Sequence, residues 1–268
     1  MLGAIAGDII GSVYEFAPIK RKDFQPLFAE NAFFTDDSVL TVAVADALLH
    51  GRDPVEALKD WGRRYPDAGY GGYFHEWLFS DETAPYGSFG NGAAMRVSPA
   101  GLLAHSLEQC LEMAQRVTAV THNHPEGLKG AAATAAAVFL FRQGAGAPAV
   151  RETIAELCGY DLERSVEAIR ATYTFDETCQ GTVPEALVCA LEASDYEDAV
   201  RNAISLGGDA DTLGAITGAV AEARFGLPEA IAAQAWARLP EDMRGVLRAL
   251  YQRAGTPAPW AGADDGTP

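Results

Sequence analysis

The chain has 268 residues, enough for one large domain or two small ones, and its 49% apolar content supports a sizeable core. Its 37 Asp and Glu outnumber 20 Lys and Arg, giving a net charge of −17. Such a surface excludes unmodified nucleic acid as a partner, because phosphate binding depends on Lys and Arg, and it disfavours anionic membranes.

Cys110, Cys158, Cys179 and Cys189 form no C-x-x-C pair, so they read as reduced, packed thiols of a cytoplasmic protein. The N-terminus has no basic segment and meets Asp8 too early for a signal peptide. No apolar run reaches the roughly 18 residues of a transmembrane helix. The richest run, Ala131 to Phe141, fits a buried helix.

In chain order, residues 1–14 are small and apolar, with Gly3, Gly7 and Gly11 at a spacing of four. On a helix these glycines share one face and permit close packing. Glu15 follows between Tyr14 and Phe16, odd for a core and reasonable for the wall of a site. Residues 17–34 carry Pro18, Pro26 and mixed charge, and read as an irregular excursion that could cover a site. Thr35-Asp36-Asp37-Ser38 opens a helix to Leu49. Asp53-Pro54-Val55-Glu56 supplies a cap, a proline and a first-turn acid for the next helix, to Tyr65. Residues 66–92, rich in Gly and aromatics, read as irregular.

A helix is expected from Ala93 to Ala104, broken near Pro99, and another from Leu107 to Val120. Thr121-His122-Asn123-His124-Pro125 leads into a helix from Glu126 to Arg142. Short helices are expected at 149–158 and 161–171, then a polar loop from Phe175 to Thr182 and a helix from Pro184 to Glu192. Ser194-Asp195-Tyr196-Glu197 reads as a capping box for the helix leading to Gly207. Helices near 211–224, 228–238 and 240–253 follow, and 254–268 reads as a disordered tail. No stretch alternates with period two, so the fold class is all-α: a single compact orthogonal helical domain over 1–253.

The chemistry concentrates in Gly207-Gly208-Asp209-Ala210-Asp211-Thr212. Asp209, Asp211 and Thr212 fall at or just before a helix N-terminus. One Asp there would be a cap, but a cap needs one oxygen, and this stretch offers two carboxylates and a hydroxyl. Thr35, Asp36 and Asp37 repeat the pattern upstream. Capping plus dipole stabilisation accounts for either cluster alone. Together they suggest a binuclear metal site at helix N-termini. The oxygen set Asp36, Asp37, Asp209, Asp211 and Thr35 or Thr212 suits two Mg²⁺ or Mn²⁺, and no paired Cys or His-x-x-x-His favours Zn²⁺. Crowded carboxylates repel one another, and cations remove that cost. Two ions can hold a bridging water and grip vicinal hydroxyls or phosphate oxygens.

Tyr86-Gly87-Ser88-Phe89-Gly90-Asn91-Gly92 is a glycine-rich loop whose N–H groups could cradle phosphate, with Ser88 and Asn91 as orienting groups. His122 and His124 could bind metal, cap their helix, or hydrogen-bond phosphate as neutral imidazoles. The residues alone reach a two-metal hydrolase acting on a phosphate- or sugar-bearing substrate.

Four segments resemble the ADP-ribosylglycohydrolase family: Gly3 to Phe16, Phe34 to Ser38, Gly87 to Val97, and Leu206 to Thr212. The resemblance implies an all-α fold with a binuclear Mg²⁺ or Mn²⁺ centre. It matches Thr35, Asp36, Asp37, Asp209, Asp211 and Thr212 to metal ligands, and Glu15 to an acidic residue near the scissile bond. Gly87, Ser88, Phe89, Gly90, Asn91 and Gly92 match a loop holding the diphosphate and distal ribose, and His122 a histidine near the phosphates. The implied reaction cleaves the glycosidic bond at the distal ribose C1″ of an ADP-ribosyl group, on a protein or a small compound. Either Glu15 or a metal-bound aspartate such as Asp209 would transfer the proton. Ala210 stands where the family often has Thr, and Phe89 where some relatives carry Tyr; neither removes a ligand. Alternatives are hydrolysis of another ribosyl compound, such as O-acetyl-ADP-ribose, or ADP-ribose binding without catalysis. A monomer is the expected state.

Overall fold

The structure, a computed structural model, describes residues 1–260. These form helices and no named strand, with one isolated β-bridge between Gly90 and Thr178. Helix α1 (Leu2–Gly11) precedes the irregular excursion, and α2 (Asp36–His50) follows it. α3 (Pro54–Arg64) starts as its sequence dictates, with the Asp53 carboxylate accepting from the Val55 and Glu56 amides. α4 (Gly72–Phe79) lies inside a stretch read as irregular. Its Phe74, Trp77 and Leu78 recur at helical spacing and are buried, a pattern obscured by the glycines just before it. The helix expected over 93–104 divides into α5 (Gly92–Met95) and α6 (Ser98–Leu103), with Pro99 in the first turn of the second.

Next come α7 (Leu107–Thr118), α8 (Pro125–Arg142), α9 (Ala147–Cys158) and α10 (Val166–Thr172). The expected start of α10 at 161 moves because Ser165 caps it, accepting from the Ala168 amide at 3.2 Å. α11 (Cys179–Glu192) begins within the expected polar loop. Thr178 caps it by accepting from the Gly181 amide at 3.1 Å, and Pro184 falls inside the helix. α12 (Tyr196–Ile204) is capped one residue later than read. Asp195 accepts from the Asp198 amide at 2.8 Å, and Asp198 accepts from the Ser194 amide at 3.1 Å. α13 (Ala210–Phe225), α14 (Glu229–Ala237) and α15 (Glu241–Ala254) close the chain.

Packing reaches past the expected domain end at 253. Trp260 is buried and stacks on Trp236 with ring centroids 4.0 Å apart. The part of the expected tail beyond it, 261–268, lies outside the described residues. All four cysteines are buried and free. Among the described residues, no helix is long and apolar enough to cross a membrane.

The spine is α1 laid antiparallel on α13. Both are buried, α1 throughout and α13 from Ala210 to Ala221. The glycine face of α1 makes the contact: a Cβ on Gly7 would lie 2.0 Å from the Gly214 carbonyl oxygen, and one on Gly11 2.3 Å from that of Ala210. On the other helix, a Cβ on Gly218 would lie 2.2 Å from the Gly3 carbonyl oxygen. Backbone therefore meets backbone, and only residues without a Cβ fit. This crossing also fixes the site, because the end of α1 arrives at the beginning of α13.

Candidate metal centre

Three chain segments converge where α1 ends and α2 and α13 begin. Asp8, on the last turns of α1, has a fully buried side chain. Its carboxylate accepts from the Thr35 amide at 3.0 Å, the Thr35 hydroxyl at 2.7 Å and the Ser38 amide at 3.2 Å, and also from the Ser38 hydroxyl. One buried acid thus clamps the Thr35–Ser38 turn against α1. The Thr35 hydroxyl caps α2 by accepting from the Asp37 amide at 3.3 Å, so neither Asp36 nor Asp37 is needed as the cap. The Asp36 amide donates to the Ala68 carbonyl at 2.8 Å, tying the turn to the segment ahead of α4.

Asp209 stands at the N-cap position of α13 and makes no capping bond. Its carboxylate instead accepts from the Asn91 side-chain amide at 2.6 Å. The same amide donates to the Thr182 hydroxyl at 3.2 Å, which donates to the Asp176 carbonyl at 2.8 Å. The Thr212 hydroxyl donates to Asp37 at 3.2 Å.

Carboxylate oxygens of Asp8, Asp37 and Asp211 lie within 4.8 Å of one another, as do those of Glu15, Asp209 and Asp211. Asp211 belongs to both triads. The other Asp37 oxygen, Oδ1, is buried without any hydrogen-bond partner. A buried, unpaired carboxylate oxygen is costly unless a cation meets it. The donor set is all oxygen, which suits a hard divalent ion. The residues therefore fit the metal that the fold family implies.

The electrostatics agree. Burial, then the neighbouring Asp211 charge, pushes Asp8 up to about 7. Burial, then Asp211, Asp8 and Glu177, raises Glu15 to about 7. Asp36, Asp37 and Asp209 are held well above the usual carboxylate range by burial and then by Asp211. These are acids assembled against their mutual repulsion.

The cluster floors a cavity of about 380 Å³. Its lining includes Glu15, Thr35, Asp36, Asp37, Asp209, Asp211 and Thr212, and also Ser88, Gly90, Asn91, Gly92 and His122. Gly87 and Phe89, expected as substrate contacts, are not on this wall. Gly87 makes the turn, with φ +71°, and the half-exposed Phe89 packs beside His124, centroids 5.2 Å apart. The expected phosphate cradle is also largely spent within the protein. The Ser88 amide donates to the Thr121 carbonyl, the Gly90 amide to the Ser88 hydroxyl and the Asn91 amide to the Glu177 carbonyl. The Ser88 hydroxyl hydrogen and the His122 ring remain as side-chain donors on this part of the lining.

His122 is buried, and its tautomer follows from a hydrogen-bond chain. The Arg96 Nη2 donates to the Thr121 hydroxyl at 2.7 Å, and that hydroxyl lies 2.8 Å from His122 Nδ1. Arg96 Nη2 is itself 3.3 Å from the same Nδ1. Arginine can only donate, so Nδ1 accepts and the proton sits on Nε2. Nε2 faces the loop, 3.2 Å from where a Cβ on Gly92 would be. Burial, then the Arg96 charge, holds His122 well below the usual imidazole range, so it serves as a neutral donor.

Reading the sequence missed Asp8, Arg96 and the Thr182 anchor. Asp8 had a signal: it is the lone acid in an otherwise apolar, glycine-faced helix. Arg96 and Thr182 had none, because their partners lie 25 and 91 residues away.

This is an all-helical enzyme scaffold carrying a buried acidic centre that opens into a cleft. The family model of the ADP-ribosylglycohydrolases matches residues 1–259, and the chain belongs to that family of glycohydrolases. It is 26% identical over 310 residues to ADP-ribosylhydrolase ARH3 of Homo sapiens, covering 85% of each chain. It is 27% identical over 288 residues to ADP-ribosyl-[dinitrogen reductase] glycohydrolase of Rhodospirillum rubrum, covering 95% of each. Among solved structures, one described as an ADP-ribosylglycohydrolase-related protein complex superposes with a TM-score of 0.71 at 25% identity, covering 94% of this chain and 97% of that one.

Proposed function

We propose that the protein hydrolyses the glycosidic bond at the distal ribose C1″ of ADP-ribosyl groups carried by protein side chains or small compounds, releasing ADP-ribose. The observation that carries this reading is the pair of carboxylate triads sharing Asp211, beside the unpaired Asp37 oxygen, on the floor of a cleft. Asp36, Asp37, Asp209, Asp211, Thr35 and Thr212 would hold two Mg²⁺ or Mn²⁺. Such ions supply Lewis-acid grip on ribose hydroxyls and a lowered water pKa. Asn91 fixes the Asp209 carboxylate, and Asp8 fixes the turn that carries Asp36 and Asp37. Ser88 and the His122 Nε2–H donate to the diphosphate. Glu15, half-buried with its carboxyl raised to about 7, can hold or release a proton at the bond that breaks.

The test is release of free ADP-ribose from ADP-ribosyl-arginine, ADP-ribosyl-serine and O-acetyl-ADP-ribose, with Mg²⁺, Mn²⁺ or EDTA, beside Asp209→Ala. Release that needs metal and is lost in Asp209→Ala is expected. Tight ADP-ribose binding with no release from any of the three would overturn the hydrolase reading for these linkages.

A further inference from the structure

The cleft has two dissimilar ends. Tyr73 and Tyr86 pack together at the His122 end, with Tyr86 to His122 ring centroids 6.2 Å apart. At the carboxylate end, Phe16 and Phe33 line the mouth and stand 84% and 55% exposed. Phe16 follows Glu15 directly. The Phe33 amide donates to the Ser12 hydroxyl at 3.2 Å, so the backbone that carries Phe33 is tied to the chain just beyond α1. Burying apolar rings is favourable, and exposed aromatic rings beside a cleft offer a surface that a partner could cover.

The charge around them says what. Glu15, Asp67 and Glu177 share that wall with the rings, and Glu177 and Asp67 are exposed. Among the described residues, Arg96 is the one Lys or Arg on the cavity wall; it is 1% exposed and turned toward Thr121 and His122. Neither Asp67 nor Glu177 belongs to either carboxylate triad, so neither is a ligand that a bound cation would neutralise directly. Aromatic faces beside uncompensated carboxylates attract Lys and Arg side chains by cation–π and Coulomb terms together. The net charge of −17 steers the same partners from a distance.

We propose that the Phe16–Phe33 lip, with Asp67 and Glu177, docks a basic polypeptide segment that carries the ADP-ribosyl group. The segment's Lys or Arg side chains lie over the two rings while the nucleotide reaches inward to Ser88 and His122. This rests on the hydrolase reading for the placement of the ADP-ribosyl group. It goes beyond that reading in assigning a partner to a surface the reaction itself does not use.

The test uses the full chain with Mg²⁺ and two peptides bearing the same ADP-ribosyl linkage, one flanked by Lys and Arg, the other by Asp and Glu. The basic peptide is expected to show a KM about tenfold lower at low salt, with little change in kcat, and to lose most of that advantage at high salt. Phe16→Ala with Phe33→Ala should raise the KM of the basic peptide about fivefold and leave inhibition by free ADP-ribose unchanged. Equal KM values for the two peptides would overturn the proposal. So would a double variant that weakens free ADP-ribose as much as the basic peptide, since the rings would then serve the nucleotide. If neither peptide is cleaved, the hydrolase reading fails for that linkage, and the peptides' Kd values, compared with and without the two rings, still decide the docking question.

Discussion

The carboxylate end of the cleft is made of helix ends locked by backbone packing, whereas the opposite end is a glycine loop tied down by scattered side chains. Asp8, Thr35, Asp37 and Asp211 hold their places because α1 and α13 touch through glycines and have no freedom to slide. Ser88 and His122 hold theirs through a few hydrogen bonds each, to Thr121, Arg96 and the Gly90 amide. Perturbing the first end should therefore be large and coupled to folding. Perturbing the second should be modest and confined to ligand recognition.

The largest effects belong to the shared acid. Asp211 is common to both triads, while Asp209 belongs to one. Asp211→Ala should abolish the rise in Tm on adding Mg²⁺ and lower activity by at least about a thousandfold. Asp209→Ala should lose comparable activity yet keep part of the thermal shift. Thermal scans with and without Mg²⁺ check this, and equal residual shifts in the two variants would mean that Asp211 is not shared.

The packing itself supplies the next test. A methyl group on Gly7 would meet the Gly214 carbonyl at 2.0 Å, with backbone on both sides and nothing able to yield. Gly7→Ala should cost about 3 kcal/mol of stability, at the upper end for overpacking. On Gly92 the new methyl would lie 3.2 Å from the His122 ring, a neighbour that can shift. Gly92→Ala should stay within about 0.5 kcal/mol of wild type, as surface changes do, while weakening ADP-ribose binding. Urea denaturation of both variants measures the contrast.

The same contrast explains what could be read in advance. Helix positions follow from apolar spacing and local caps, and the glycine face of α1 and the Asp-and-Thr clusters are local patterns as well. All of these were legible, including the all-α class. The α4 segment was hidden by its glycines, and the start of α11 by Pro184, since a proline ordinarily marks a helix's first turn. Asn91 was legible as polar but not as the group that orients Asp209, 118 residues away. The loop amides looked available for phosphate because nothing in the sequence shows that the Glu177 and Thr121 carbonyls consume two of them.

Without metal, the acidic end should also respond to pH. Asp8 and Glu15 are raised to about 7, against ordinary values near 4 in the unfolded chain. A carboxyl raised in the folded state favours folding most below its unfolded value and loses that contribution as pH rises through the folded one. The stability of the EDTA-treated protein should fall between about pH 4 and pH 7. The gain from Mg²⁺ should grow over the same interval, because cations relieve the repulsion being created. Paired thermal scans across that range check the sign; a metal-free protein that gains stability toward pH 7 would contradict it.

The smallest expected effect lies at the other end, in the chain from Arg96 through Thr121 to His122. Arg96 both donates toward His122 Nδ1 and lowers the ring's proton affinity by its charge. Arg96→Met keeps much of the side chain's bulk over Phe74, removes the donor and the charge, and leaves the burial. His122 should then move part of the way back toward its ordinary value, since burial, the larger cause, persists. Its proton would no longer be confined to Nε2, because the Thr121 hydroxyl, relieved of Arg96, can either donate to Nδ1 or accept from it. Affinity for ADP-ribose should fall about tenfold, the size of one hydrogen bond to a charged group. Metal-dependent thermal shifts should change little, because Arg96 hydrogen-bonds Thr121 and His122 and reaches the proposed ligands only through its charge on Asp36. Nitrogen-detected NMR of the ring separates this from simple loss of fold. In wild type Nδ1 should stay unprotonated across neutral pH, and in the variant the two tautomers should mix.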